Sequence, residues 1–148
     1  MADRSAAEPN PDGITRYIVE TFPRVDVATT QGATFFSLDP EKHWPNFATI
    51  VTSDAFDQAS NLSREGVFRL NIGVSRETFE RLVGDVPADE STDYAVLDRV
   101  IPHPVYARQH WVSILNPNAE TFDNVVRPLL AEAHARVARQ VRLQRGER

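Results

Sequence analysis

The feature that most limits how this chain can fold lies near its C-terminus. Val126, Leu129, Leu130, Ala133, Val137 and Val141 recur at three- and four-residue spacing. This is the signature of a helix with one apolar stripe, and such a stripe must be buried against another element. The rest of the chain offers strands to bury it. Val67 to Val74 alternates strictly, with Phe68, Leu70 and Ile72 on one side and Val67, Arg69, Asn71 and Gly73 on the other. One face of a sheet therefore suits the helix. The opposite face carries an arginine and an asparagine, which need partners wherever they are covered.

Reading outward from these two elements gives the remaining organisation. Residues 1–11 form a polar, acidic leader without an apolar core segment, so no secretory signal is expected, and the default location is cytoplasmic. Asp12 is the expected N-cap of a helix carrying Ile14, Tyr17, Ile18 and Phe22, which ends at Phe22-Pro23. Val25–Thr29 and Ala33–Leu38 read as a hairpin turning at Gln31-Gly32, and Phe47–Thr52 reads as a third strand. Ser75 caps a helix over Arg76–Val83. Asp85, Asp89, Glu90 and Asp93 mark an acidic loop, Tyr94–Val100 reads as a helical turn, and Trp111–Leu115 is a fifth strand. Pro128 confines the start of the regular C-terminal helix to about Val126 or Arg127. The expectation is an α+β fold over residues 12–148: an antiparallel sheet of about five strands packed against an N-terminal helix and a long C-terminal one.

Several function classes are excluded at once. The chain has no cysteine, which removes disulfides, thiolate catalysis and cysteine-ligated zinc. The longest apolar run is far too short for a membrane span. A formal net charge of -5 argues against a general nucleic-acid binder. No Gly-x-Ser-x-Gly elbow and no glycine-rich phosphate loop occurs.

The segment from Arg99 to Pro117 concentrates the residues that carry chemistry. His103 stands between Pro102 and Pro104, followed by Tyr106, His110 and Trp111. His103 and His110, with Asp54 or Asp98, do not complete a metal ligand set, so neither a metal nor another cofactor is expected. Arg69 and Asn71 share one strand face with the surface that His103, Tyr106 and His110 rim. Arg69 either pairs with Asp54 or Asp98 or clamps an anionic ligand with its planar fork. The expected binding residues are accordingly Arg69, Asn71, Asp54, His103, Tyr106 and His110. An acid–base reading would instead use His103 oriented by Asp98, with Tyr106 nearby. Among the aromatics, Trp44, Phe35, Phe36, Phe47 and Trp111 divide between core and pocket, and Phe35 and Phe36 must face opposite ways. Arg127, Arg136, Arg139, Arg142, Arg145 and Arg148 smear positive charge along the last helix. That pattern reads first as a solvated face, and second as a contact for nucleic acid or an acidic partner.

The stretches FATIVTSDAFD, GVFRLNIGVSRETF, LDRVIPHPVYARQHWVSILNP and PLLAEAHARV resemble a family of small uncharacterised bacterial proteins. That family is classed as a domain of unknown function and is common in actinobacteria. The resemblance spans nearly the whole chain after the leader and brings no established activity. Trp111-Val112-Ser113-Ile114 followed by the helix Leu129 to Val137 is similar, more faintly, to the MmcQ/YjbR-like proteins. Those proteins have a helix, an antiparallel sheet and closing helices, and are often labelled DNA-binding. Taken together, the residues favour a binding protein over an enzyme. Its partner would be another protein, a copy of itself or a small ligand, held on the sheet face of Arg69 and Asn71.

Overall fold

A computed structural model of the chain describes residues 9–38, 45–84 and 92–144. Most of the expected leader lies outside these residues, as do Trp44, Asp85, Asp89, Glu90, Arg145 and Arg148.

Helix α1 (Pro11–Thr21) is capped by Asn10, whose side chain accepts from the Gly13 amide at 2.8 Å. The expected cap was Asp12. Pro11 explains the difference, because a proline at the first helical position needs no N–H partner and moves the cap one residue before it. Strands β1 (Asp26–Thr30) and β2 (Ala33–Ser37) form the expected hairpin. Gln31 and Gly32 both take positive φ, 51° and 79°, the backbone that matches a two-residue turn to the twist of its strands. Strand β3 (Asn46–Val51), strand β4 (Arg69–Gly73) and helix α2 (Arg76–Val83) follow. Ser75 caps α2 as expected, accepting from Thr78 N at 3.1 Å.

The sixth strand of the sheet is one the sequence hides. β5 (Val100–Pro102) has three residues, too few to show alternation, and it pairs with β6 (Trp111–Leu115). The spatial order is β1-β2-β3-β4-β6-β5, and each neighbouring pair is antiparallel. No helix covers Tyr94–Val100; Leu97 there makes an isolated bridge to Leu115.

The C-terminal coil begins earlier than Pro128 suggests. A short helix α3 (Ala119–Thr121), capped by Asn118, runs through a π turn (Phe122–Val126) into α4 (Arg127–Gln144). In a regular α-helix the Pro128 ring would meet the carbonyl four residues before it. The wider π turn immediately before the proline relaxes that contact and lets the coil continue.

The two faces of the sheet are covered differently. Ile14 and Ile18 of α1, and Leu129, Leu130, Ala133, Val137 and Val141 of α4, pack on Phe36, Phe47, Ile50, Leu70, Ile72, Val112 and Ile114. Each of these side chains larger than alanine contributes about 1.5–3 kcal/mol by leaving water, so this face holds the fold together. On the other face a smaller cluster of Ala33, Val51, Leu62, Ile101 and Leu115 lies under the connections 52–66 and 92–99. The rest of that face forms the candidate site.

One irregularity matters there. Phe36 pairs with Ala48 and Ser37 with Asn46, so Phe47 is an extra residue, a β-bulge. It turns Phe47 into the helix-covered core, where Phe47 is fully buried beside Ala48.

Candidate functional site

A polar row, buried at Asn71 and Ser113 and half-buried at Thr49, runs across the second face. Thr49 of β3, Asn71 of β4 and Ser113 of β6 lie side by side in register. Ser113 Oγ donates to Asn71 Oδ1 at 2.6 Å, and Asn71 Nδ2 donates to Thr49 Oγ1 at 2.9 Å. Arg69, two residues from Asn71 and only 1% exposed, donates from Nε to the same Asn71 Oδ1 at 3.1 Å. Its fork grips Asp57 through two bonds of 2.9 and 2.6 Å and also reaches Ser60 Oγ at 3.0 Å. The hydrogen bonds from Arg69, reinforced by its charge, hold the Asp57 carboxyl below the usual carboxylate range against the opposing effect of burial.

Of the two alternatives open to Arg69, an ion pair and a ligand clamp, this geometry matches the ion pair. Four of the five guanidinium N–H groups are committed within the protein, and Arg69 and Asn71 are both buried rather than presented to a partner. Arg69 fastens the 52–66 connection to the sheet. Its carboxylate is Asp57, not Asp54 or Asp98. Asp54 accepts from the Leu62 amide at 2.9 Å within that connection. Asp98, at a positive φ of 59°, accepts from Asn118 N at 2.9 Å, and its own amide bonds Leu115 O at one end of β6.

His103 sits at the opposite end of β6, where its amide bonds Trp111 O at 3.0 Å. The side chain is 5% exposed. Pro104 turns the chain sharply, and the amides of Val105 and Tyr106 both donate to His103 Nδ1, at 2.9 and 3.0 Å. With Nδ1 held as an acceptor, the neutral ring carries its proton on Nε2. Burial, aided by the nearby Arg69 charge and only partly opposed by Asp57, pushes the His103 pKa down to about 4. His103 is therefore a fixed, uncharged N–H donor near neutral pH. The backbone orients it, not Asp98, and Asp98 lies at the far end of the strand. A general acid needs a proton to give and a general base needs a free lone pair. His103 in this form has no lone pair free at Nε2, and the proton it carries there is held too tightly for a general acid, although a neutral imidazole N–H can still polarise a carbonyl.

The ring faces a cleft of about 400 Å3 lined by Phe35, Asn46, Thr49, His103, Tyr106, Gln109 and Trp111. Gly73 stands opposite Trp111 in the register, and a Cβ there would lie 2.9 Å from the indole Cε2. The glycine lets the indole lie close against the sheet. Phe35, pointing away from the fully buried Phe36, supports the other side and meets Phe56 edge to face at 6.0 Å. Tyr106, 53% exposed, stands over the His103 ring with centroids 5.0 Å apart.

Of the expected binding residues, His103 and Tyr106 therefore meet in the cleft, with Arg69 and Asn71 buried on the same sheet face. Asp54 and His110 do not join them: His110, at a positive φ of 67°, packs on Phe79 of the helix-covered side at 5.8 Å. No group of three histidine or acidic side chains converges as a metal site among the described residues. Asn46, Thr49, Gln109, Asp57 and Ser60 were not singled out by the sequence. For Thr49, only its place in the expected strand Phe47–Thr52 was legible; its register opposite Asn71 comes from the fold. Arg127 is engaged too, lying 5.0 Å over the Tyr17 ring and 3.3 Å from Asp123.

A family model covers residues 9–146 of the chain. The chain belongs to DUF6194, a family of unknown function. Neither the curated proteins nor the solved structures give a match to it. The cleft and its supporting network thus lie wholly within the DUF6194 region. Among the described residues, no helix of this DUF6194 chain is long and apolar enough to cross a membrane.

Proposed function

We propose that this chain is a binding protein for a small, flat, uncharged molecule, held in the cleft between Phe35 and Trp111. The observation that carries the reading is the His103 ring, fixed at Nδ1 by two backbone amides, in the wall of a concave site lined by aromatic side chains. Binding sites for small molecules are concave, mostly apolar and supplied with a few placed polar groups. The Arg69 network gives this one a rigid floor, because the hydrogen bonds across β3, β4 and β6 leave the strands little freedom to shift. A charged ligand is disfavoured, since the ionised groups beneath the cleft already neutralise each other as Arg69 and Asp57. The resemblance to MmcQ/YjbR-like proteins, an actinobacterial origin and a cytoplasmic location remain proposals alongside this one. Nucleic-acid binding through α4 receives less support, given the net charge of -5 and the engagement of Arg127.

The test is an NMR screen of the 15N-labelled chain against small uncharged aromatic and heteroaromatic compounds. Shifts concentrated on Phe35, Thr49, His103 and Trp111 are expected. Hits confined to the α4 surface, or no saturable hit at millimolar concentration, would end the proposal.

A further inference from the structure

Asn46 reaches the cleft through the bulge in β3. Alternation counted back from Thr49 would put Phe47 on the cleft face and Asn46 in the helix-covered core. The extra residue at Phe47 reverses this, and Asn46 lines the cleft while Phe47 fills the core. Bulges often re-aim one side chain at a functional site. Asn46 Oδ1 is also buried without a hydrogen-bond partner, the single such side-chain atom found among the described residues. In a protein whose other buried polar groups are so thoroughly paired, an unsatisfied acceptor at the wall of a cleft calls for a donor from outside.

We infer that Asn46 makes the cleft selective for a flat, uncharged ring that carries both an N–H donor and a carbonyl acceptor, as cyclic amides, imides and pyrimidine-type bases do. This rests on the cleft being the binding site. The ligand N–H meets Asn46 Oδ1, the ligand carbonyl takes the His103 Nε2 proton, and the ring lies among Phe35, Tyr106 and Trp111. Both protein groups are neutral, so the matched ligand is neutral. Both residues are placed by the backbone, Asn46 by the bulge and His103 by two amides, so the ligand needs only a turn of the Asn46 amide to bring the shielded Oδ1 to its N–H.

The experiment compares 2-pyridone and uracil with N-methyl-2-pyridone and 1,3-dimethyluracil. Each is titrated into the full chain and followed through the Trp111 indole N–H and the His103 ring. The parent compounds should bind about tenfold more tightly than their methylated forms, the loss expected for one hydrogen bond to a buried acceptor. In Asn46→Leu, which replaces an unpaired amide with an apolar side chain of similar size, that preference should fall to about twofold or less while the methylated compounds still bind. Asn46→Ala provides the same comparison should the leucine fill the cleft. Equal affinities of parent and methylated rings for the unaltered chain would overturn the inference and leave the cleft reading standing. A preference that survives both substitutions would also overturn it, by assigning the selection to another residue. Failure of all four compounds and of toluene to shift any cleft resonance would remove the cleft reading itself.

Discussion

The state of His103 makes a quantitative demand on stability. In the folded chain its pKa is pushed down to about 4 from 6.5, first by burial and then by the Arg69 charge, while Asp57 acts in the opposite sense. Between these two values the unfolded chain binds a proton at this ring and the folded chain does not. Stability must therefore rise with pH from about 4 to about 6.5 and level off above, because the unfolded state holds the extra proton throughout the window. The slope expected from one site is about 1.4 kcal/mol per pH unit, and the full window amounts to about 3 kcal/mol. Asp57 does not confuse the measurement: its pKa is lowered from 3.8, so its own contribution is present above that value and fades only as pH falls below it. The perturbation is His103→Asn, which places an amide oxygen about where the ring holds Nδ1 and so can still accept from Val105 and Tyr106. Urea unfolding of both proteins from pH 4.5 to 7.5, with the two curves subtracted, cancels every other titrating group. The difference should show the parent losing about one proton equivalent more stability on acidification. Parallel curves would refute the reasoning, since they would mean that His103 is protonated as readily folded as unfolded.

Further expectations concern the scaffold. Arg69→Met should cost about 3 kcal/mol in urea unfolding, because it strands the partly buried Asp57 carboxylate, and adding Asp57→Asn should recover part of the loss. A cost under about 1 kcal/mol for the single variant would mean that the network does not fasten the 52–66 connection. Gly73→Ala should displace the Trp111 indole, cost about 1–3 kcal/mol and, in a Trp44→Phe background, change the Trp111 emission; an unchanged spectrum would count against close stacking on the sheet. Gly32→Ala should destabilise by about 1–2 kcal/mol, since φ there is 79° and the new Cβ would lie 2.6 Å from Ser53 Oγ; a neutral result in thermal melts would contradict the turn geometry.

How much of this was legible depends on what kind of signal each part carries. The alternation in 67–74 and the three-four spacing on α4 report burial directly, so the β4 faces and the helix-covered core followed from the residue order. Ser75 and the Gln31-Gly32 turn were readable because their chemistry is local. Arg69 was recognisable as a residue needing a partner, but its partner was not. The 52–66 connection has no periodicity, and only its three-dimensional path brings Asp57 and Ser60, rather than Asp54, over β4. His103 stood out through its two prolines, yet its orientation depends on amides two and three residues later. Asn46 was hidden for a deeper reason. A bulge changes the parity of a strand, and nothing in Pro45-Asn46-Phe47-Ala48 announces that parity changes there.

The π turn at residues 122–126 has a consequence for how the C-terminal coil is phased. One residue corresponds to about 100° of rotation in an α-helix, so an inserted residue decouples the angular setting of the coil before it from that after it. The leading turn is set by Asn118, whose amide is tied to Asp98 beside β5. The trailing eighteen residues are set by the sheet, through Leu130, Ala133 and Val137. A uniform helix would have to satisfy both anchors with one rotation. Here the turn absorbs the mismatch, so a change in the connection from β6 can be accommodated without rotating the arginine-bearing face of α4 or loosening its grip on the core.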